Sequence, residues 1–253
     1  MTRKRGSLGL RLNIWLLRFA RNWLRAALVV IGIYAALPWV APTLMRLGLE
    51  GPGRALYTLY SPFCHQFAFR SFFLYGEQPA YPRYNTGTTL KPFEAYAADL
   101  PEFAPDRAHP LGGPVGDLYA FTPGFQFMAR DFIGNSQMGY KLTLCERDIA
   151  IYLALFVGGA LYSRVRTRIR PVPIWLYIWL GLLPIGLDGF SQMFGYPPFN
   201  WWPARETTPF FRVLTGAIFG LMNAWLGFPY LEMSFRETRE QIELKLARAG
   251  ITV

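Results

Sequence analysis

Two cysteines carry the chemistry this chain offers most readily. Cys64 lies in Ser61-Pro62-Phe63-Cys64-His65-Gln66 and Cys145 in Leu144-Cys145-Glu146-Arg147-Asp148. Both strings flank apolar segments, so thiol, imidazole and carboxylate gather at one expected membrane depth. Thr143-Leu144-Cys145-Glu146 fits a capping box, with Thr143 as cap, Glu146 returning a bond and Cys145 in the first helical turn. A helix N-terminus and the neighbouring Arg147 favour a thiolate there, and Asp148 falls one turn along on the same face. Cys64, His65, Cys145 and Asp148 thus form a donor set acceptable to zinc or iron. A Cys64–Cys145 disulfide, or two inert thiols, stands ahead of that metal site, and redox catalysis stands behind it.

A second constellation is polar. Asp188 and Arg212 are expected at the ends of adjacent antiparallel helices, close enough to pair, because a charge at that depth needs a partner. Gln66, Arg70 and Gln192 are the candidates to join them in a pocket for a lipid headgroup or a quinone. No acid/base carboxylate pair, nucleophile motif or glycine-rich phosphate loop accompanies them. Gly216, Gly220 and Gly227 give one helix a small face for close packing. His109, between Arg107 and Pro110, reads as a loop residue rather than a ligand.

The elements that must position these groups are those of a membrane protein. The 253 residues are 52% hydrophobic and only 17% charged, too poor in charge for a soluble surface. The net charge of +10 comes from arginines clustered beside apolar runs, which points to anionic lipid and orientation rather than nucleic acid. The expected fold is all-α: four transmembrane helices, an N-terminal amphipathic helix and a long irregular extracytoplasmic insertion.

The amphipathic helix covers residues 1–25, with Arg11, Arg18, Arg21 and Arg25 on one face and Leu12, Trp15, Leu16, Phe19 and Trp23 largely on the other. The spans are expected from Ala26 to Met45, Ile149 to Tyr162, Pro173 to Phe190 and Phe211 to Leu231, near the roughly 20 residues a bilayer needs. Pro184 should kink the third. Divided by region, residues 26–46 form the first span, 47–147 the outer segment, 148–232 a three-helix bundle and 233–253 a tail helix. In the outer segment a helix is expected from about Arg54 to Tyr75, followed by an irregular cap whose aromatics argue against disorder. The tail offers the helical pairs Arg236–Glu240 and Arg239–Glu243, with Ile242, Leu244 and Leu246 free to meet a partner. Arginines of the N-terminal helix, of Arg164 to Arg170 and of the tail fall on one side, which places both termini in the cytoplasm and the protein in a bacterial inner membrane.

Four motifs in fixed order carry a resemblance. Cys64-His65-Gln66 with Arg70-Ser71-Phe72-Phe73 and Gly76, Cys145-x-Arg147 with Ile151-Tyr152, Asp188-Gly189-x-x-Gln192, and Arg212-x-x-Thr215-Gly216 resemble the domain-of-unknown-function 2085 family of small prokaryotic membrane proteins. The resemblance covers about Arg54 to Gly76 and Leu144 to Gly227 and implies no activity. Family members commonly show Cys-x-Arg-Cys where this chain has Cys145-Glu146-Arg147-Asp148. A carboxylate still ligates zinc but exchanges no disulfide, so this departure weakens redox chemistry most.

Three functions follow as expectations. The first is a non-catalytic accessory subunit of a larger bacterial membrane complex, with an electron-transfer assembly as host. The second is a metal- or thiol-dependent membrane enzyme at the outer face, and the third a small transporter or lipid- or quinone-binding bundle.

Overall fold

The computed structural model describes residues 8–166 and 168–251; residues 1–7 of the expected N-terminal helix and 252–253 of the tail lie outside them. Among the described residues, four helices are long and apolar enough to cross a membrane: α1 (Leu8–Arg46), α5 (Glu146–Val165), α6 (Ile174–Met193) and α7 (Pro209–Arg248). Between α1 and α5 lie α2 (Glu50–Tyr60), α3 (Phe93–Ala97) and α4 (Pro123–Asp131), with five short strands. Those strands are the departure from an all-α expectation.

Several expected boundaries dissolve into longer helices. α1 runs unbroken past residue 25 and α7 past residue 232. At 39 and 40 residues they are about 58 and 60 Å long, twice the roughly 30 Å hydrocarbon core. Their surplus ends meet: Leu17 is buried with Ile242 and Leu246, and Arg21 pairs with Glu243 at 2.9 Å. The expected tail pair Arg239–Glu243 is therefore replaced, since Arg239 bonds Glu232 at 2.9 Å instead. Glu232 also accepts from Trp23 (2.8 Å) and Arg166 (2.7 Å), joining α1, α7 and the link after α5 at one buried carboxylate. Leu12 and Trp15 of α1 stay exposed, while Leu17, Ala20, Trp23 and Leu24 are buried.

α5 begins at Glu146, three residues before the expected start, and this restores a spanning length. Cys145 is its N-cap residue, and Thr143 makes no capping bond. The capping box fails because Glu146 turns inward to Arg212 rather than back along its own helix. α5 and α7 pack backbone to backbone. A Cβ on Gly216 would lie 2.6 Å from the Arg147 carbonyl oxygen and one on Gly220 2.3 Å from that of Ile151, the close approach that small residues permit. Gly227 has nothing within 4 Å and takes no part; Gly158 of α5, facing Ala224, does.

α6 is π-helical over Tyr177–Leu182, immediately before Pro184, which has no N–H for the Leu180 carbonyl. It is tied to α7 through Tyr177 and Asn223 at 3.2 Å. Most of its surface is bare: Trp175, Trp179 and Leu187 are 61%, 63% and 62% exposed.

The helix expected to continue to Tyr75 ends at Tyr60. Pro62 has no N–H for the Thr58 carbonyl, which takes the Ser61 N–H at 3.3 Å. The chain then enters a cap with its own aromatic core of Phe69, Phe73, Tyr81, Phe93, Phe103 and Phe125. Strand β5 (Gly139–Lys141) lies between β1 (Phe73–Leu74) and β4 (Gly134–Asn135), antiparallel to both; β2 (Ala108–His109) pairs with β3 (Gly113–Pro114). Gly139 is required: its φ is +73°, and a Cβ would lie 2.2 Å from the Leu74 carbonyl oxygen. Arg83 and Glu94 form a buried ion pair at 2.8 Å inside this core. Lys141 is fully buried and donates to the carbonyls of Gln66 (2.6 Å) and Arg130 (2.5 Å). Burial pushes its ammonium pKa down to about 7.

Candidate functional site: a cavity beneath the cap and a thiol cluster beside it

The start of α5 faces two ways. Cys145 and Asp148 turn toward Cys64, whereas Glu146 and Arg147 turn toward α6 and α7.

On the first side, the ligating atoms of Cys64, Cys145 and Asp148 all lie within 4.8 Å of one another. Both cysteines are free thiols. The Cys145 thiol donates to Asp148 Oδ2 at 3.1 Å, and the backbone N–H groups of Cys145 and Gln66 point at Cys64 Sγ at 3.3 and 3.5 Å. The hydrogen bond with Cys64, together with burial, pushes the Cys145 thiol well above its ordinary pKa, reversing the expected readiness to ionise. His65 is not in this set; it is exposed and its ring lies 5.5 Å from that of Phe67. A turn at Gln66, whose φ is +55°, directs the neighbouring side chains apart.

On the second side, the expected Asp188–Arg212 pair is absent because each has a nearer partner. Asp188 pairs with Arg147 and, at 3.5 Å, with Arg205, and it accepts from Thr207. Arg212 pairs with Glu206, lies 3.7 Å from Glu146, and donates to Gln192 Oε1 at 2.9 Å. Arg70 grips Glu206 with two bonds of 3.1 and 2.5 Å, and Tyr196 donates to it at 2.9 Å. Gln66 stands apart, its amide donating to the Tyr57 and Thr143 carbonyls at 2.9 and 2.8 Å. His109 bonds Asp131 at 2.9 Å and stacks on Phe127.

Glu206 is the centre of this network and was not singled out by the sequence motifs. It is the sole acid between Ser191 and Phe210, and a lone carboxylate in an aromatic loop beside a membrane needs a cation, which is the signal that could have found it. Thr208 caps α7 through the Phe211 N–H at 3.3 Å with Pro209 following, and so fixes Glu206 just before the helix. Burial opposes its ionisation, but the guanidiniums of Arg70 and Arg212 more than offset that and hold its carboxyl at about 2. Burial and then Glu206 push Tyr196 up to about 12.

A cavity of about 800 Å³ separates the cap from the helix ends. His65, Phe67, Phe121 and Gln126 line it from the cap, Arg147, Gln192 and Arg212 from the helices, and Tyr196 and Phe199 from the α6–α7 loop. Arg147 Nε is buried without a partner, as is Glu146 Oε1. Four guanidiniums (Arg70, Arg147, Arg205, Arg212) meet three carboxyl groups (Glu146, Asp188, Glu206), leaving at least one positive charge in excess. Such a site takes a group rich in acceptor oxygens between aromatic walls.

Residues 130–226 match the model of a family described as "Predicted membrane protein (DUF2085)". The match takes in Cys145, Asp188, Gln192 and Arg212. The uncharacterized protein MJ1492 of Methanocaldococcus jannaschii is 27% identical over 101 residues, 39% of this chain and 60% of that protein. The chain thus covers less than two thirds of this relative's length. No solved structure gives a significant match.

Proposed function

We propose that this membrane protein binds the head group of an amphiphile, an anionic lipid or a quinone, in the cavity beneath its cap. The observation that carries this is the convergence of three guanidinium side chains, Arg70, Arg147 and Arg212, on the wall of a large aromatic-lined cavity. Met193 and Phe199 are partly exposed at the cavity's edge, an apolar exit for a tail toward the bilayer. The arginines of the α5–α6 link and of the tail support a topology with both termini in the cytoplasm and the cap outside, in a bacterial inner membrane.

Native mass spectrometry of protein extracted in mild detergent tests this. Wild type should carry one amphiphile, whose extracted mass distinguishes phospholipid from quinone, and Arg147→Gln should lose it. A wild-type spectrum of bare chain alone would overturn the reading.

A second reading, an accessory subunit of a larger membrane complex such as an electron-transfer assembly, draws support from α6. Its exposed Trp175, Trp179, Leu187 and Phe190 leave a long apolar face open to another membrane subunit as well as to lipid. Stoichiometric partners in a gentle purification would support it, and a lone chain would sink it.

A further inference from the structure

Cys64, Cys145 and Asp148 do not line the cavity, and their chemistry is different. We propose that Cys64, Cys145 and Asp148 bind one thiophilic divalent cation, zinc by the character of the donors, which clamps the start of the cap to the start of α5.

Three observations support this. First, the donors are assembled: two sulfurs and a carboxylate oxygen lie within 4.8 Å of one another, with Cys145 Sγ and Asp148 Oδ2 at 3.1 Å. Zinc bonds of about 2.3 Å to sulfur and about 2.0–2.2 Å to oxygen place tetrahedral neighbours about 3.5–3.8 Å apart. The widest separation therefore needs to close by about 1 Å at most. Second, two backbone N–H groups already point at Cys64 Sγ; such donors stabilise a metal-bound thiolate and fix its direction. Third, the surroundings balance charge. Two thiolates and a carboxylate around a dication leave one negative charge, and both Arg70, which feels Cys145, and Lys141, which feels Cys64, are in electrostatic range. Three protein ligands leave a fourth position for solvent, and Cys145 and Asp148 are only partly buried, so water reaches it.

This arrangement differs from the ligand set suggested by the sequence. His65 is excluded, because its ring faces Phe67 and the cavity. Asp148 supplies the third donor.

The test is metal content together with thiol state on the purified full chain. Wild type should hold one zinc, with both thiols titrating after denaturation. Cobalt(II) exchange should give a sulfur-to-cobalt charge-transfer band that Cys64→Ser and Cys145→Ser each abolish. Asp148→Asn, close in shape and so least disruptive to folding, should weaken zinc binding on the order of tenfold or more, and His65→Ala should keep the metal. A chain lighter by two hydrogens with no titratable thiol would overturn the proposal in favour of a disulfide. Free thiols that take up no added zinc or cobalt would overturn it as well.

Discussion

Replacing Glu206 by glutamine keeps the side chain's shape and removes the charge on which Arg70 and Arg212 converge. A fall in its carboxyl pKa from an ordinary 4.5 to about 2 corresponds to about 3 kcal/mol, at about 1.4 kcal/mol per tenfold in proton affinity. That agrees with the roughly 3–5 kcal/mol expected when one partner of a buried ion pair is removed. The sign follows from proton counting. Between about 2 and 4.5 the folded protein binds fewer protons at this site than the unfolded chain, so stability rises with pH across that window. It is complete above 4.5 and lost on acidification toward 2. Thermal unfolding followed by tryptophan fluorescence in detergent is the assay. Glu206→Gln should lower Tm by roughly 6–12 °C at pH 7, and the gap to wild type should shrink as pH falls toward 2. A variant within about 2 °C of wild type at pH 7, or a gap unchanged by acid, would show that the Glu206 charge does not stabilise the fold.

The helix contacts give further tests. Gly220→Leu puts a side chain where a Cβ already sits 2.3 Å from the Ile151 carbonyl oxygen, and should cost at least about 1–3 kcal/mol by overpacking. Gly227→Ala meets nothing within 4 Å and should leave Tm unchanged or slightly raised; equal losses at both positions would contradict the α5–α7 packing. Ile242→Asp, at a residue 6% exposed against Leu17, should detach the tail at a cost of about 2–4 kcal/mol. Limited trypsin digestion should then cut the tail faster, while Leu244→Asp, at an exposed position, should leave the rate as it was.

The number of spans and the gathering of Cys64, Cys145 and Asp148 were legible because apolar length and motif position survive folding. Helix ends were less so: α1 and α7 run past the membrane, and the sequence marks no break at residues 25 or 232 because the charged segments are themselves good helix formers. The polar network was read in kind but not in pairing. Asp188 and Arg212 each need a partner, but Arg147 and Glu206 intervene, and Glu206 comes from an irregular loop whose path no periodicity encodes. The exclusion of His65 depends on one backbone turn at Gln66, which local composition does not announce. The cap's short strands and aromatic core arise from contacts distant in sequence, such as Phe73 with Lys141 and Phe93 with Phe125.

An experimental density map of the protein in nanodiscs formed from its native lipids would show what occupies the cavity. It should show a head group in the cavity bounded by His65, Gln192 and Tyr196, with an oxygen within hydrogen-bond reach of the Arg70, Arg147 or Arg212 guanidinium and a tail leaving past Met193. A cavity filled only with water, or closed by the protein's own side chains, would contradict the proposed binding role.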